Sequence, residues 1–186
     1  MNISILKSYG IVFVILLLLA SSAHSSDSDR HGFVGGFGIG HSPYANWDLG
    51  DIPGETNMGT AFKLFFGYGI SHSNILVWEI SGTVTTSAVL NNTHILQGIN
   101  GFRWFHFYES GSKFVFFTSL GAGSMLFGTE FSNVGGFGFG LQVGAGIEFK
   151  RHFHLDLNYI FGSTSASDSF DTDHKLLMIT LSVLAL

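Results

Sequence analysis

Hydrophobic and polar positions alternate with a period of two along most of this chain. Between Gly136 and Phe149, Phe137, Phe139, Leu141, Val143, Ala145, Ile147 and Phe149 are apolar, while Gly138, Gly140, Gln142, Gly144, Gly146 and Glu148 fall between them. Successive side chains of a strand point to opposite faces, so the pattern predicts a strand with one apolar face. The glycines here match neither the dinucleotide fingerprint nor the phosphate-binding loop, and no helical pattern follows them.

The same alternation recurs. Phe33, Gly35, Phe37 and Ile39 oppose Val34, Gly36, Gly38 and Gly40. Phe62, Leu64, Phe66, Tyr68 and Ile70 oppose Lys63, Phe65, Gly67 and Gly69. Leu76, Trp78, Ile80 and Val84 oppose Glu79, Ser81, Thr83 and Thr85. Phe153, Leu155, Leu157, Tyr159 and Phe161 oppose His154, Asp156, Asn158 and Ile160, and Leu177, Ile179, Leu181 and Val183 oppose Met178, Thr180 and Ser182. Two further segments, 93–107 and 113–127, are apolar on both faces, which leaves their register open. The total is eight strand candidates. Their connections alternate between tight (71–74, 108–112, 150–152) and longer and polar (41–58, 86–93, 127–135, 163–174). An even strand number with short turns at one end and long loops at the other predicts an all-β, eight-stranded antiparallel up-and-down transmembrane barrel.

Composition bears on which face is outside. The chain of 186 residues is 46% hydrophobic and 11% charged, with 25 glycines and 20 phenylalanines, whereas a soluble domain carries about 25% charged residues. An inward apolar face would leave a water-facing side made largely of glycine. It would also crowd phenylalanine into an interior that eight strands keep narrow. Phenylalanine is therefore expected toward lipid and glycine toward the lumen. The aromatics near strand ends, Trp104 with Tyr108 and Phe149 with Phe153, fit an interfacial girdle.

The amino-terminal run Ile11 to Ala20, preceded by Lys7 and followed by small residues, reads as a secretory signal over 1–25, with cleavage after Ala23 or Ser25 and the barrel domain at 26–186. The apolar run is shorter than the ~20 residues of a spanning helix. Absence of cysteine excludes disulfides, thiol catalysis and thiolate metal sites. The net charge of -5 and the lack of a basic run argue against a nucleic-acid partner.

The glycine-rich strand, tight charged turn and following strand "GFGFGLQVGAGIEFKRHFHLDLNYIF", with "SLGAGSMLF" upstream, resemble the small eight-stranded outer-membrane barrels. That group comprises the membrane domain of outer-membrane protein A, the X-type proteins and the opacity proteins. The resemblance implies residence in the outer membrane, contact with outer-membrane lipid and lipopolysaccharide, a monomeric state, and a non-enzymatic structural, adhesion or surface-interaction role. Surface ligands would meet loops 41–58 and 163–174. The chain departs from the group in ending on Leu186 where such barrels usually carry Phe, which bears on its assembly signal.

Candidate chemistry is sparse. The segment "GAGIEF" and the strand after it also resemble lipid A 3-O-deacylases, whose His-x-Ser pair would fall on "IFGST". Phe161 stands where the base belongs and Ser163 stands alone, leaving His174 of the last loop to approach Ser163 or Ser165. A soluble periplasmic lipid-carrying barrel is the other alternative. The nine histidines are scattered, with only His152 and His154 two apart, and Asp168, Asp171 and Asp173 lack the calcium-loop pattern. No cofactor or metal is expected. The residues expected to matter are polar groups of the lumen face: Lys63, Glu79, Arg103, Gln142, Glu148, Asp156 and Asn158, of which Arg103 lies on a strand of open register. Charges in a narrow lumen must pair, and a paired network plugs the barrel.

Overall fold

The computed structural model describes residues 30–49, 52–108, 113–129, 135–165 and 171–185. The signal segment, Asp168, Ser110 and Leu186 lie outside the described residues. The strands are β1 (Gly32–Leu49), β2 (Ile52–Ser71), β3 (Asn74–Ser87), β4 (Thr93–Tyr108), β5 (Phe114–Thr129), β6 (Gly135–Phe149), β7 (Phe153–Ser165) and β8 (Asp171–Ala185). Each pairs antiparallel with its neighbour in sequence, and β1 pairs with β8 to close the barrel. Closure leaves no strand edge with unpaired backbone groups, as a wall immersed in hydrocarbon requires.

The exterior is apolar. Phe33 is 68% exposed and Phe137 73%, and the outward rows also carry Phe66, Phe102, Phe116, Leu157 and Ile179. A soluble carrier turns such a face inward around its cargo. Here it points out, and the interior is packed, so the carrier alternative is not the architecture observed. At the end that holds Gly32 and Ala185, Trp104, His106 and Tyr108 form a chain of ring contacts, with Trp104 Nε1 donating to Asn74 Oδ1 at 3.0 Å. Phe149 stacks on Phe153 at 5.3 Å across the β6–β7 turn. These amphipathic and aromatic side chains occupy one rim of the apolar belt, where such groups partition at a membrane interface.

The structure corrects the expected loop 41–58. Apart from Gly50 and Asp51, which lie outside the described residues, β1 and β2 pair through this stretch until Leu49 meets Ile52. The polar composition that suggests a loop belongs to a hairpin that rises beyond the apolar belt. β2 has 20 residues; at ~3.3 Å per residue and ~40° tilt it stands about 50 Å tall, about twice the ~25 Å of a barrel's apolar band. Pro43 sits in a bulge between Ser42 and Ala45, where its missing N–H breaks no ladder. Ser42 Oγ covers the gap by donating to Leu177 O at 2.9 Å. The bulge also switches parity, so that Ser42 and then Ala45 and Trp47 all face inward. The loop expected at 163–174 is likewise shorter, since β7 runs to Ser165 and β8 starts at Asp171.

The two ambiguous strands acquire a register from their neighbours. β4 turns Ile95, Gln97, Ile99, Arg103, Phe105 and Phe107 inward, and β5 turns Phe117, Ser119, Met125 and Phe127 inward. The interior is thus less glycine-dominated than expected, because it also admits Phe65, Phe105, Phe107, Phe117 and Phe127. Glycines on facing strands make the room. A side chain on Gly146 would meet the Phe117 ring 2.5 Å away, and one on Gly36 would meet the Phe65 ring at the same distance. Large and small positions alternate around the barrel, which is how a narrow interior reaches native packing density.

Candidate functional site: the barrel lumen and its outer end

Three apolar layers divide the lumen. At the end near the chain termini, Phe65, Ile75, Val77, Phe105, Phe107 and Phe117 pack with Val34 and Leu184. In the middle, Ala45, Ala61, Ile99, Met125, Ile160, Leu176 and Met178 form a second cluster. At the far end Trp47, Ile95 and Phe127 form a third.

Between the first two layers lies a charged one. Arg103 Nη1 donates to both carboxylate oxygens of Glu79, at 2.9 and 3.0 Å, and its Nη2 donates to Ser119 Oγ at 2.8 Å. Both members of the pair are completely buried. Lys63 Nζ donates to Asp156 Oδ2, and Thr180 Oγ1 donates to Asp156 Oδ1 at 2.7 Å. Arg103 Nη2 stands 4.0 Å from that same Asp156 Oδ2, so the two pairs form one electroneutral cluster. Asn158 Nδ2 donates to Gln142 Oε1 at 3.1 Å beside it. The guanidinium also lies 4.7 Å from the Phe105 ring centroid, which joins the charged layer to the apolar layer below. Gly144 makes room for the bond to Ser119, because a side chain there would come within 2.6 Å of Arg103 Nη2 and 2.8 Å of Ser119 Oγ.

Glu148 lies lower, near the mouth on the terminal side. It meets His154 Nε2 at 3.1 Å and Arg30 Nη2 at 2.7 Å. Arg30 precedes β1, and its guanidinium sits 4.3 Å from the Phe107 ring centroid and donates to His72 O at 2.5 Å. The Arg30 side chain therefore reaches across this mouth. The seven residues singled out from the sequence all face the interior, in two groups: Glu148 at the mouth, and Lys63, Glu79, Arg103, Asp156, Gln142 and Asn158 deeper. Sequence reasoning missed Arg30, Ser119, His154 and Thr180. The two-residue period places His154 and Thr180 on inward rows, whereas Ser119 lies on a strand whose register the sequence leaves open and nothing local marks Arg30.

The deacylase-like arrangement is not assembled. His174 faces inward, with Nε2 2.9 Å from Thr164 Oγ1, whereas Ser163 and Ser165 point outward and Ser165 Oγ donates to Asp171 Oδ1. Base and hydroxyl sit on opposite faces of one wall, because the strand period gives residues of unlike parity opposite directions. Among the described residues no group of three or more metal-ligating side chains converges.

No family model matches the sequence, and no curated protein matches it. Among solved structures, the chain is similar to the crystal structure of Neisserial surface protein A, with a TM-score of 0.59, 11% identity, and coverage of 82% of this chain and 95% of that one. It is also similar to the outer membrane protein OprG from Pseudomonas aeruginosa, with a TM-score of 0.49, 12% identity and coverage of 84% and 96%. A third is Ail, the attachment invasion locus protein of Yersinia pestis, with a TM-score of 0.45, 14% identity and coverage of 82% and 99%. The chain has the fold of the small eight-stranded outer-membrane barrels.

Proposed function

We propose that this chain is an integral outer-membrane protein whose closed lumen carries no traffic and whose role is structural, adhesive or surface-interacting, exercised through the hairpins at its outer end. The observation that carries this reading is the stacking of three apolar layers with an electroneutral charged one between the first two. An ion entering such a lumen would lose its hydration against packed apolar side chains and against charges already paired with one another, at a cost of several kcal/mol. A non-enzymatic role is supported by the separation of His174 from Ser163. The reading includes export by a signal over residues 1–25, cleavage after Ala23 or Ser25, a mature barrel over 26–186, a monomeric state in outer-membrane lipid and lipopolysaccharide, and surface ligands at 41–58 and 163–174. The polar network of Lys63, Glu79, Arg103, Gln142, Glu148, Asp156 and Asn158 serves as the plug.

Two measurements test it. Epitope tags placed separately at the β1–β2 tip, between Leu49 and Ile52, and near Ser110 are exposed to protease in intact cells. Cleavage at the tip alone is expected; protection of both until the envelope is opened would defeat the surface reading. In planar bilayers the purified barrel is expected to give no sizeable conductance steps. Ready passage of small ions at moderate voltage would overturn the plug.

A further inference from the structure

The outer part of the wall between β6, β7 and β8 carries a notch of about 330 Å³, within the ~300–1,000 Å³ range of small-ligand sites. Its floor is thin because Gly140 and Gly162 are direct partners and neither has a side chain. Its sides are Phe139, Leu141 and Phe161, and its upper edge carries Ser163, Asp173 and Lys175. His174, opposite Gly162 on the lumen side, also lines it, and its Nδ1 is buried without a hydrogen-bond partner.

The notch lies where the outward rows change character. Along β7 the row runs Leu157, Tyr159, Phe161 and then Ser163 and Ser165; along β8 it runs Leu181, Ile179, Leu177 and then Lys175 and Asp173. Its lower part therefore faces the hydrocarbon and its edge the head-group layer. Lys175 is exposed there and has no ion-pair partner among the described residues. A cation on a long apolar stem at this depth is placed to meet a lipid phosphate. Asp173 beside it would repel a bare anion but would accept hydrogen bonds from hydroxyl groups. The combination suits a head group bearing both phosphate and sugar hydroxyls.

We propose that this notch binds one phosphorylated glycolipid of the surrounding outer leaflet. An acyl chain lies against Phe139, Leu141 and Phe161 over the glycine floor, the phosphate meets Lys175, and sugar hydroxyls donate to Asp173. The proposal rests on the reading that the apolar exterior faces outer-membrane lipid.

The test is native mass spectrometry of the full barrel released from detergent micelles. The probes are phosphorylated lipid A, dephosphorylated lipid A and phosphatidylglycerol, with inorganic phosphate as competitor. Wild type is expected to retain a single phosphorylated lipid A. Lys175→Ala should weaken retention about tenfold, the scale of one charge-assisted contact, and Lys175→Arg should restore it. Leu141→Trp, which changes an outward residue and fills the notch, should lose the lipid while keeping the heat-dependent gel shift of a folded barrel. Equal retention by wild type and Lys175→Ala would overturn the site. So would equal retention of phosphatidylglycerol or of dephosphorylated lipid A, or release by millimolar phosphate. A chain that stays soluble without detergent would instead defeat the underlying membrane reading.

Discussion

Replacing Arg103 with Met is expected to destabilise the barrel by about 3–5 kcal/mol, the usual cost of leaving a buried carboxylate without its partner. Adding Glu79→Leu to the same chain should recover most of that loss. In the single variant Glu79 loses its partner in a place where both side chains are fully buried. Ser119 loses the donor at 2.8 Å and Asp156 loses a positive neighbour at 4.0 Å. In the double variant the uncompensated carboxylate is gone, while the Lys63–Asp156 pair and the bond from Thr180 persist. Denaturant unfolding of the four chains of this cycle in lipid vesicles isolates the coupling energy. A loss in the double variant equal to the sum of the two single losses would show that the pair is not coupled. The same double variant should remain non-conducting, because the apolar layers on either side of the charged one are untouched.

Introducing Arg at Leu157 is expected to cost about 2–4 kcal/mol, whereas Arg at Thr60 should cost no more than about 1 kcal/mol. Leu157 is 49% exposed at the centre of the outward row that runs from Phe153 to Phe161. Thr60 also faces outward, but on β2 it lies beyond Phe62, where the unbroken apolar row ends and threonines alternate with Met58 toward the outer end. Both changes leave the interior alone, so their difference reports the depth profile of the surrounding solvent. Folding efficiency into vesicles, read by heat-dependent gel migration, provides the measurement. Similar costs at the two positions would mean that hydrocarbon does not cover the belt.

Much of the wall is legible in local sequence because strand parity is a local property. Where the outward row is unmistakable, as from Phe137 to Phe149 or from Phe153 to Phe161, inward and outward sides follow from the period alone. This is how Gln142, Glu148, Asp156 and Asn158 come to share the lumen face. The reading stalls where both rows are apolar. Phe116 and Phe117 are chemically identical neighbours, yet one is 61% exposed and the other 1%. Only the pairing of β5 with β4 and β6, which places Phe117 opposite Gly146, decides between them. The hairpin of 41–58 is misread for a different cause. Its Pro43 and polar side chains resemble loop chemistry, and the bulge that lets Pro43 stay within the ladder resets the parity a reader would follow. The Ser163 and His174 pairing fails for a simpler reason, because two adjacent strands can bring residues close along the chain's path while pointing them to opposite faces.

What this sequence by itself determines is the kind of wall: the number of strands, the face that six of the eight show to lipid, and the need for closure. Those follow from the two-residue repeat and from the cost of unpaired backbone in hydrocarbon. Which charge meets which was decided only by the tertiary structure. Arg103 and Glu79 are 24 positions apart, Lys63 and Asp156 are 93 apart, and Arg30 and Glu148 are 118 apart. Their meeting depends on strand tilt and stagger around the closed barrel and on glycines that let long side chains cross the lumen. No local pattern encodes a stagger that exists only once the first strand pairs with the last.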